Sequence, residues 1–246
     1  MSNEAVFLIK TAVVLGAVVL AGRAGRMWLG ALVAVCAVTM NLIVVKPIAL
    51  FGLGVTCGNV LYAGIFLATD VLNEHYGRRA AQQAVWIGFA AVAFVTAVMQ
   101  LALAFTSLGG AAQAHLSFFF RYTGYARIVA ASMASFLIFQ SLDVWVFDRI
   151  RHRTAGRLLW LRNNGSTWLS QLGDSLFFSY FGLWSVPWLG LSSLVPDLPS
   201  FWQLVGFTYA VKLVVAVLDT PVLYLTCWRP LRPPGSLRGQ PADTDA

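Results

Sequence analysis

Asp70, Glu74, Asp143, Asp174 and Asp219 are the side chains here with the most chemistry in reach. They are half of the chain's 10 carboxylates, and each falls inside, or within a turn of, a long apolar stretch. An ionisable group at membrane depth costs about 2.5–3.5 kcal/mol even on lenient insertion scales. Such residues persist where they face a polar interior, pair with one another, or hold a solute or ion. Residues three or four apart share a helix face. Asp70, Asn73 and Glu74 therefore make one polar stripe, Gln140 and Asp143 a second, and Gln171, Asp174 and Ser175 a third. Lys212 and Asp219, close to two turns apart, make a fourth. None of these stripes is stable against lipid, and the simplest arrangement turns all four inward around one site. The pattern implies a lined polar cavity, and so a transporter rather than a membrane anchor.

Carboxylates and carboxamides together suit a planar solute with several N–H donors and a carbonyl. A guanine-like edge offers adjacent N–H donors to one carboxylate and a carbonyl to Gln or Asn. Phe136, Phe139, Trp168, Phe177 and Tyr180 are candidates to stack on such a ring, although packing and lipid contact account for most aromatics in such a chain. Composition alone equally allows an amine, a cation or a proton path. Simpler roles exist for some of the acids. Asp70 and Glu74 can pair with Arg78 and Arg79 at the membrane surface, and Asp143 with Arg149. Asp219-Thr220-Pro221 can be a kink in which Thr220 satisfies the carbonyl freed by Pro221.

The elements that must position these groups are membrane-spanning helices. Of 246 residues, 59% are hydrophobic and 11% charged, whereas soluble domains carry about 25% charged residues. Apolar runs of about 20 residues match the hydrocarbon core. The expected fold is an all-α polytopic bundle of six to seven spans, filling residues 1–228 as one transmembrane domain. Its segments are approximately Ala5–Gly22, Met27–Phe51, Val55–Leu72, Ala80–Ser107, Ala126–Phe147, Ser166–Pro187 and Phe201–Leu225. The six-span alternative lays the first segment in the interface. The start, Met1-Ser2-Asn3-Glu4, lacks the basic region of a signal peptide, so the first apolar run is expected to be retained. The connection over Leu108–Tyr125, with Phe118-Phe119-Phe120 and Arg121, is expected to anchor in the interface or form a lid. The tail over 229–246, rich in Pro, Gly and charge, is expected to be disordered and cytoplasmic.

The net charge of +7 comes mainly from arginines in short connections, which points to topology rather than to a nucleic-acid partner. Arg23 and Arg26, Arg78 and Arg79, Arg149 to Arg162, and Arg229 to Arg238 occupy alternate connections and hold 12 of the 17 cations. The positive-inside bias puts those connections and the C-terminus in the cytoplasm. On that topology the acids gather in the cytoplasmic half, Lys212 lies nearer mid-depth, and Asn41 and Lys46 lie toward the outer mouth. Gln and Asp three apart in both Gln140–Asp143 and Gln171–Asp174 hint at an internal repeat, but two short matches are weak support.

Enzymatic chemistry is disfavoured. His75, His115 and His152 lie in loops or at helix ends, no nucleophile–base pair appears, and a headgroup-modifying membrane enzyme would need one. Cys36, Cys57 and Cys227 match no disulfide or metal spacing. No nucleotide-binding loop is present, and no cofactor or metal is expected. A purely structural subunit would have no use for buried Gln and Asp stripes.

The run Gly58-Asn59-Val60-Leu61-Tyr62, then Phe66-Leu67-Ala68-Thr69-Asp70-Val71-Leu72-Asn73-Glu74-His75-Tyr76-Gly77-Arg78-Arg79-Ala80 and Ala84-Val85-Trp86-Ile87-Gly88-Phe89, resembles the signature of the bacterial queuosine-precursor transporters. That vitamin-uptake-like family is related to the substrate-binding subunits of energy-coupling-factor importers. Further matches are Arg127 to Ser132 with Phe136 and Gln140, Gly165-Ser166-Thr167 with Gln171, Asp174-Ser175 and Phe178, and Lys212 with Thr220-Pro221 and Tyr224. The resemblance spans roughly Asn41 to Tyr224, with Thr-Asp-x-x-x-Glu-x-x-Gly its most specific block. Asp143 stands where many members have Asn, and Gln171 where many have Glu. The resemblance implies import of deazaguanine bases: cyano-deazaguanine, aminomethyl-deazaguanine or queuine. The expected binding set is Asp70, Gln140, Asp143, Gln171 and Asp174, with Asn41, Glu74, Lys212 and Asp219 close by. Two partners stay open, a second copy of the chain and the energising module of a multi-subunit importer, which Ala17-x-x-x-Ala21 could dock.

Overall fold

In the computed structural model, residues 2–44, 46–106, 123–184 and 195–228 are described. The Phe118-Phe119-Phe120 and Arg121 stretch, most of the 188–200 connection and the tail beyond 228 lie outside them. Among the described residues seven helices follow the apolar segments in order: α1 (Asn3–Ala24), α2 (Arg26–Ile43), α3 (Asn59–Tyr76), α4 (Arg78–Ala104), α5 (Thr123–Arg153), α6 (Leu159–Phe178) and α7 (Leu198–Trp228). Five of them, α1, α2, α4, α5 and α7, are long and apolar enough to cross a membrane. The other two, α3 and α6, have 18 and 20 residues and carry most of the buried polar groups. The chain is a multi-pass α-helical membrane protein.

Helix α3 is the hub. It buries side chains on every face, from Asn59 to Asn73, and packs against each of the other six helices. A helix buried all round belongs to the interior of a bundle. The first segment is a packed helix rather than an interfacial one, because Thr11, Val14, Val18 and Gly22 line its buried face. Apolar contact gains little between helices already in lipid, so close approach through small residues matters. Gly64 shows this: a Cβ there would collide with Val14 of α1. Gly173 of α6 likewise leaves room only for the ring of Phe139 from α5. Ala17 and Ala21 are half-buried, and Ala21 packs against the core.

Two segment boundaries differ from expectation, for local reasons. The second apolar run does not continue as helix to Phe51. Pro47 supplies no N–H and disfavours helical geometry at Lys46, and α2 ends at Ile43. The chain then forms an antiparallel hairpin of β1 (Pro47–Leu50) and β2 (Leu53–Thr56), with Leu50 paired to Leu53. Phe51 and Gly52 turn it with φ of 52° and 77°, the two positive values of a type I′ turn. The sixth helix begins at Leu159, seven residues before Ser166, so Arg162, Asn163 and Asn164 are buried helix residues rather than loop. It continues past Phe178 as a π-turn, Ser179–Leu183.

The arginine-rich connections gather at one end of the bundle. Arg162 Nη2 and Arg151 Nε lie 2.6 and 3.9 Å from the Glu74 carboxylate. Arg151 also donates to the Asn73 carbonyl at 2.9 Å, and Arg26 donates to Gln83. At the opposite end Lys10 donates to the Cys57 carbonyl at 2.6 Å, and Arg127 donates to the Phe181 and Trp184 carbonyls.

Candidate functional site

The interior polar groups form two layers rather than one site. Asp174 centres the first. Its Oδ1 accepts from the Tyr62 hydroxyl at 2.6 Å and the Ser135 hydroxyl at 2.5 Å, and its Oδ2 from Lys212 Nζ at 2.5 Å. Lys212 also reaches the Ser175 hydroxyl at 3.3 Å and lies 4.8 Å from the centre of the Tyr62 ring. Side chains from α3, α5, α6 and α7 thus meet at one ion pair. Asp174 and Lys212 are only 4% and 5% exposed, so each charge depends on the other for compensation.

This layer floors a cavity. About 540 Å³ of empty space, its open mouth included, lies between Met40, Val44, Asn59, Tyr62, Ser132, Asp174, Phe178, Thr208 and Lys212, among other residues. The cavity opens toward the end opposite the Glu74–Arg162–Arg151 cluster, since its walls include Thr56 and Gly58 beside the hairpin and Leu183 of the π-turn. Asn59 holds a specific polar group there. The Thr56 hydroxyl and Asn59 Oδ1 are 3.2 Å apart, while Asn59 Nδ2 is buried with no acceptor among the described residues. A buried polar group without a partner costs about 1–3 kcal/mol, which a carbonyl-bearing ligand would recover. Asp174 has three of about four lone-pair directions filled, leaving one for an N–H.

The second layer lies deeper. Tyr62 to Asp70 and Ser135 to Asp143 are each eight residues, and Lys212 to Asp219 is seven. At 1.5 Å per residue these offsets place the second layer about 10–12 Å along the bundle on all three helices. Asp143 faces Asp70 of α3 and Ser166, Thr167 and Ser170 of α6. The Ser166 and Ser170 hydroxyls donate instead to the carbonyls of Asn163 and Ser166. All four carboxylate oxygens of Asp70 and Asp143 are buried without a hydrogen-bond partner among the described residues. Asp219 accepts from Asn163 Nδ2 at 3.1 Å, and Gln140 Nε2 donates to the Thr69 hydroxyl at 2.6 Å.

The residues singled out from sequence therefore divide. Asp174 and Lys212 line the cavity. Asp70, Gln140, Asp143 and Asp219 belong to the deeper layer. Gln171, one turn from Asp174 and Ser175 toward that layer, is buried, and its Oε1 has no hydrogen-bond partner among the described residues. Asn41 is buried and donates to the Ala37 carbonyl at 2.9 Å, outside the cavity wall. Glu74 belongs to the ion pair with Arg162 and Arg151, so its partners are not Arg78 and Arg79, which are exposed. Asp174 does not share the level of the other acids: with α6 starting at Leu159 it falls late in its helix, beside Tyr62 and Lys212. Thr220 donates to the Ala216 carbonyl at 3.1 Å, and Pro221 stands inside α7.

The ring-stacking candidates are placed elsewhere. Phe139 and Phe177 pair edge-on with each other at 5.8 Å. Trp168 and Tyr180 are 41% and 39% exposed. Phe136 packs behind Tyr62 at 6.5 Å. The aromatic walls of the cavity are Tyr62 and Phe178 instead. Tyr62, Asn59 and Ser135 were not chosen as site residues from sequence. Their signal was present, because Asn59, Tyr62, Phe66, Asp70 and Asn73 repeat at three- and four-residue spacing along one face of α3. Asn163 was hidden by its arginine-rich neighbours.

Comparison with known proteins matches this frame. The family model described as "Putative vitamin uptake transporter" matches residues 56–226, which span both polar layers. A Bacillus subtilis (strain 168) protein, "Probable queuosine precursor transporter", is 40% identical over 202 residues, 81% of this chain and 83% of that one. The Escherichia coli (strain K12) "Queuosine precursor transporter" is 29% identical over 161 residues, 65% of this chain and 69% of its own. A Haemophilus influenzae "Probable queuosine precursor transporter" is 24% identical over 165 residues, 66% of this chain and 64% of its own. No solved structure matches the chain.

Proposed function

Because the chain belongs to the vitamin uptake transporter family, alongside the queuosine precursor transporters, we propose that it imports 7-deazaguanine precursors of queuosine across the bacterial inner membrane. The cavity above the Asp174–Lys212 pair binds the base. Asn59 Nδ2 donates to the ring carbonyl, and the remaining lone pair of Asp174 accepts from the N–H edge. Tyr62 and Phe178 flank the ring plane. The observation that carries this reading is the pairing of a buried, unpartnered amide donor at Asn59 with a buried carboxylate inside one cavity. Adenine presents an amino donor where guanine-type bases present the carbonyl, so Asn59 selects against it.

The arginine-rich end faces the cytoplasm on the positive-inside rule, so the cavity faces outward and the C-terminus inward. The Glu74–Arg162–Arg151 cluster then joins α3, α5 and α6 below it and closes the cytoplasmic side. No catalytic step is assigned to the protein.

Complementation tests this function. In a strain unable to make queuosine precursors and lacking its own importer, the expressed chain should restore queuosine in tRNA when cyano-deazaguanine is supplied. Asp174→Ala, expressed to the same level, should not. Normal queuosine with Asp174→Ala, or none with the native chain, contradicts the assignment.

A further inference from the structure

We infer that the Asp70–Asp143 pair is a proton-binding site that couples solute import to the proton gradient. The inference rests on the import function proposed above and adds the energy source. Asp70 and Asp143 come from α3 and α5, are 1% and 0% exposed, and face each other, with none of their four carboxylate oxygens hydrogen-bonded among the described residues. Two facing carboxylates out of water cannot both carry a charge at modest cost, and the stable arrangement holds one proton between them.

Among the described residues no cation faces the pair. Asp219 faces them from α7, and Glu74 lies beyond on α3. From α6 come Ser166, Thr167 and Ser170, none of them cationic. The nearby cations are committed: Arg162 and Arg151 to Glu74, and Lys212 to Asp174 in the upper layer. Arg78 and Arg79 of α4 are exposed, and His75 lies half-buried near Glu74 at the helix end. Lys10 of α1 is held on Cys57.

A second observation points to a ligand. Gln140 Oε1 and Asn163 Oδ1, 0% and 1% exposed, are also acceptors without a donor among the described residues. Their amide nitrogens are spent on Thr69 and on Asp219 with Thr220. The layer therefore holds a surplus of acceptors, and a bound proton supplies the missing donor. A metal ion fits less well. Among the described residues no group of three or more His, Cys, Asp or Glu side chains is placed to hold one.

The proton binds a carboxylate from the outer side and leaves it to the cytoplasm, so one positive charge enters with each neutral base. Purified protein in liposomes loaded with pyranine tests this. With an inward proton gradient, labelled cyano-deazaguanine should accumulate above its equilibrium level, the lumen should acidify in step, and a protonophore should abolish the accumulation. Asp143→Asn and Asp70→Asn should lose at least about tenfold of the gradient-driven uptake while retaining solute exchange between preloaded vesicles and medium. Gradient-insensitive uptake by the native protein, replacement of the proton gradient by a sodium gradient, or either variant retaining gradient stimulation would overturn the inference. Should both variants fail to fold, lumen acidification by the native protein alone decides. Absence of exchange in the native protein would instead strike at the import function itself.

Discussion

Replacing Lys212 by Met should damage the protein more than replacing Lys212 and Asp174 together by Met and Asn. The ammonium and carboxylate are 2.5 Å apart, and their side chains are 5% and 6% exposed. Removing one member of such a pair leaves an uncompensated charge and costs about 3–5 kcal/mol, whereas replacing both by neutral groups of similar volume is often close to neutral. Lys212→Met also loses the contact with the Tyr62 ring, worth up to about 2 kcal/mol when desolvated. In the double variant the carboxamide oxygen introduced by Asp174→Asn can still accept from Tyr62 and Ser135, so most of the layer survives. Denaturant unfolding of the purified protein in detergent should therefore give a coupling energy of at least about 2 kcal/mol between the two sites. Uptake should be lost in the double variant, because it removes the carboxylate proposed to accept from the solute. A single Lys212→Met variant as stable as the native protein, or strictly additive losses, would refute the view that this pair holds four helices together.

Asn59→Ala should cut uptake of cyano-deazaguanine by about 5–10-fold, the worth of one hydrogen bond of about 1–1.5 kcal/mol, with stability little changed; Thr56→Val should lose less. Glu74→Gln leaves Arg162, 3% exposed, without the negative charge that compensates it at 2.6 Å, and should lower unfolding free energy by about 2–3 kcal/mol, since Glu74 is partly solvated. Gly173→Val drives two methyl groups into the Phe139 ring and should abolish folded, detergent-extractable protein, while Gly156→Ala, at a connection with φ +76° and open space around it, should cost about 1 kcal/mol.

The bundle was legible in sequence because membrane spans are written in long apolar runs and in the placement of arginines. The boundaries that failed did so where that code is silent. Hydropathy carries Met27 to Phe51 as one apolar run, but Pro47 and the Phe51-Gly52 turn divide it into helix and hairpin. At the sixth helix, Arg162 looked like loop because the carboxylate that pairs with it, Glu74, is 88 residues away in sequence. That displacement moved Asp174 to the wrong level, and with it the idea of a single site. Helical spacing grouped polar residues onto stripes correctly, yet it carries no information on which stripe residues share a layer across helices. Tyr62 and Asp174 are 112 residues apart, and only their packing on α3 and α6 shows that a hydroxyl, an ammonium and a carboxylate form one unit.

The central claim is that the cavity above Asp174 and Lys212 recognises a deazaguanine base. Equilibrium binding of cyano-deazaguanine, queuine, guanine and adenine to the purified protein, beside its Asp174→Ala variant, tests it most directly. The account predicts saturable binding of cyano-deazaguanine, little for adenine, and loss of at least tenfold in the variant, about 1.4 kcal/mol or more. Adenine binding as tightly as the deazaguanines, or undiminished affinity in Asp174→Ala, would contradict it.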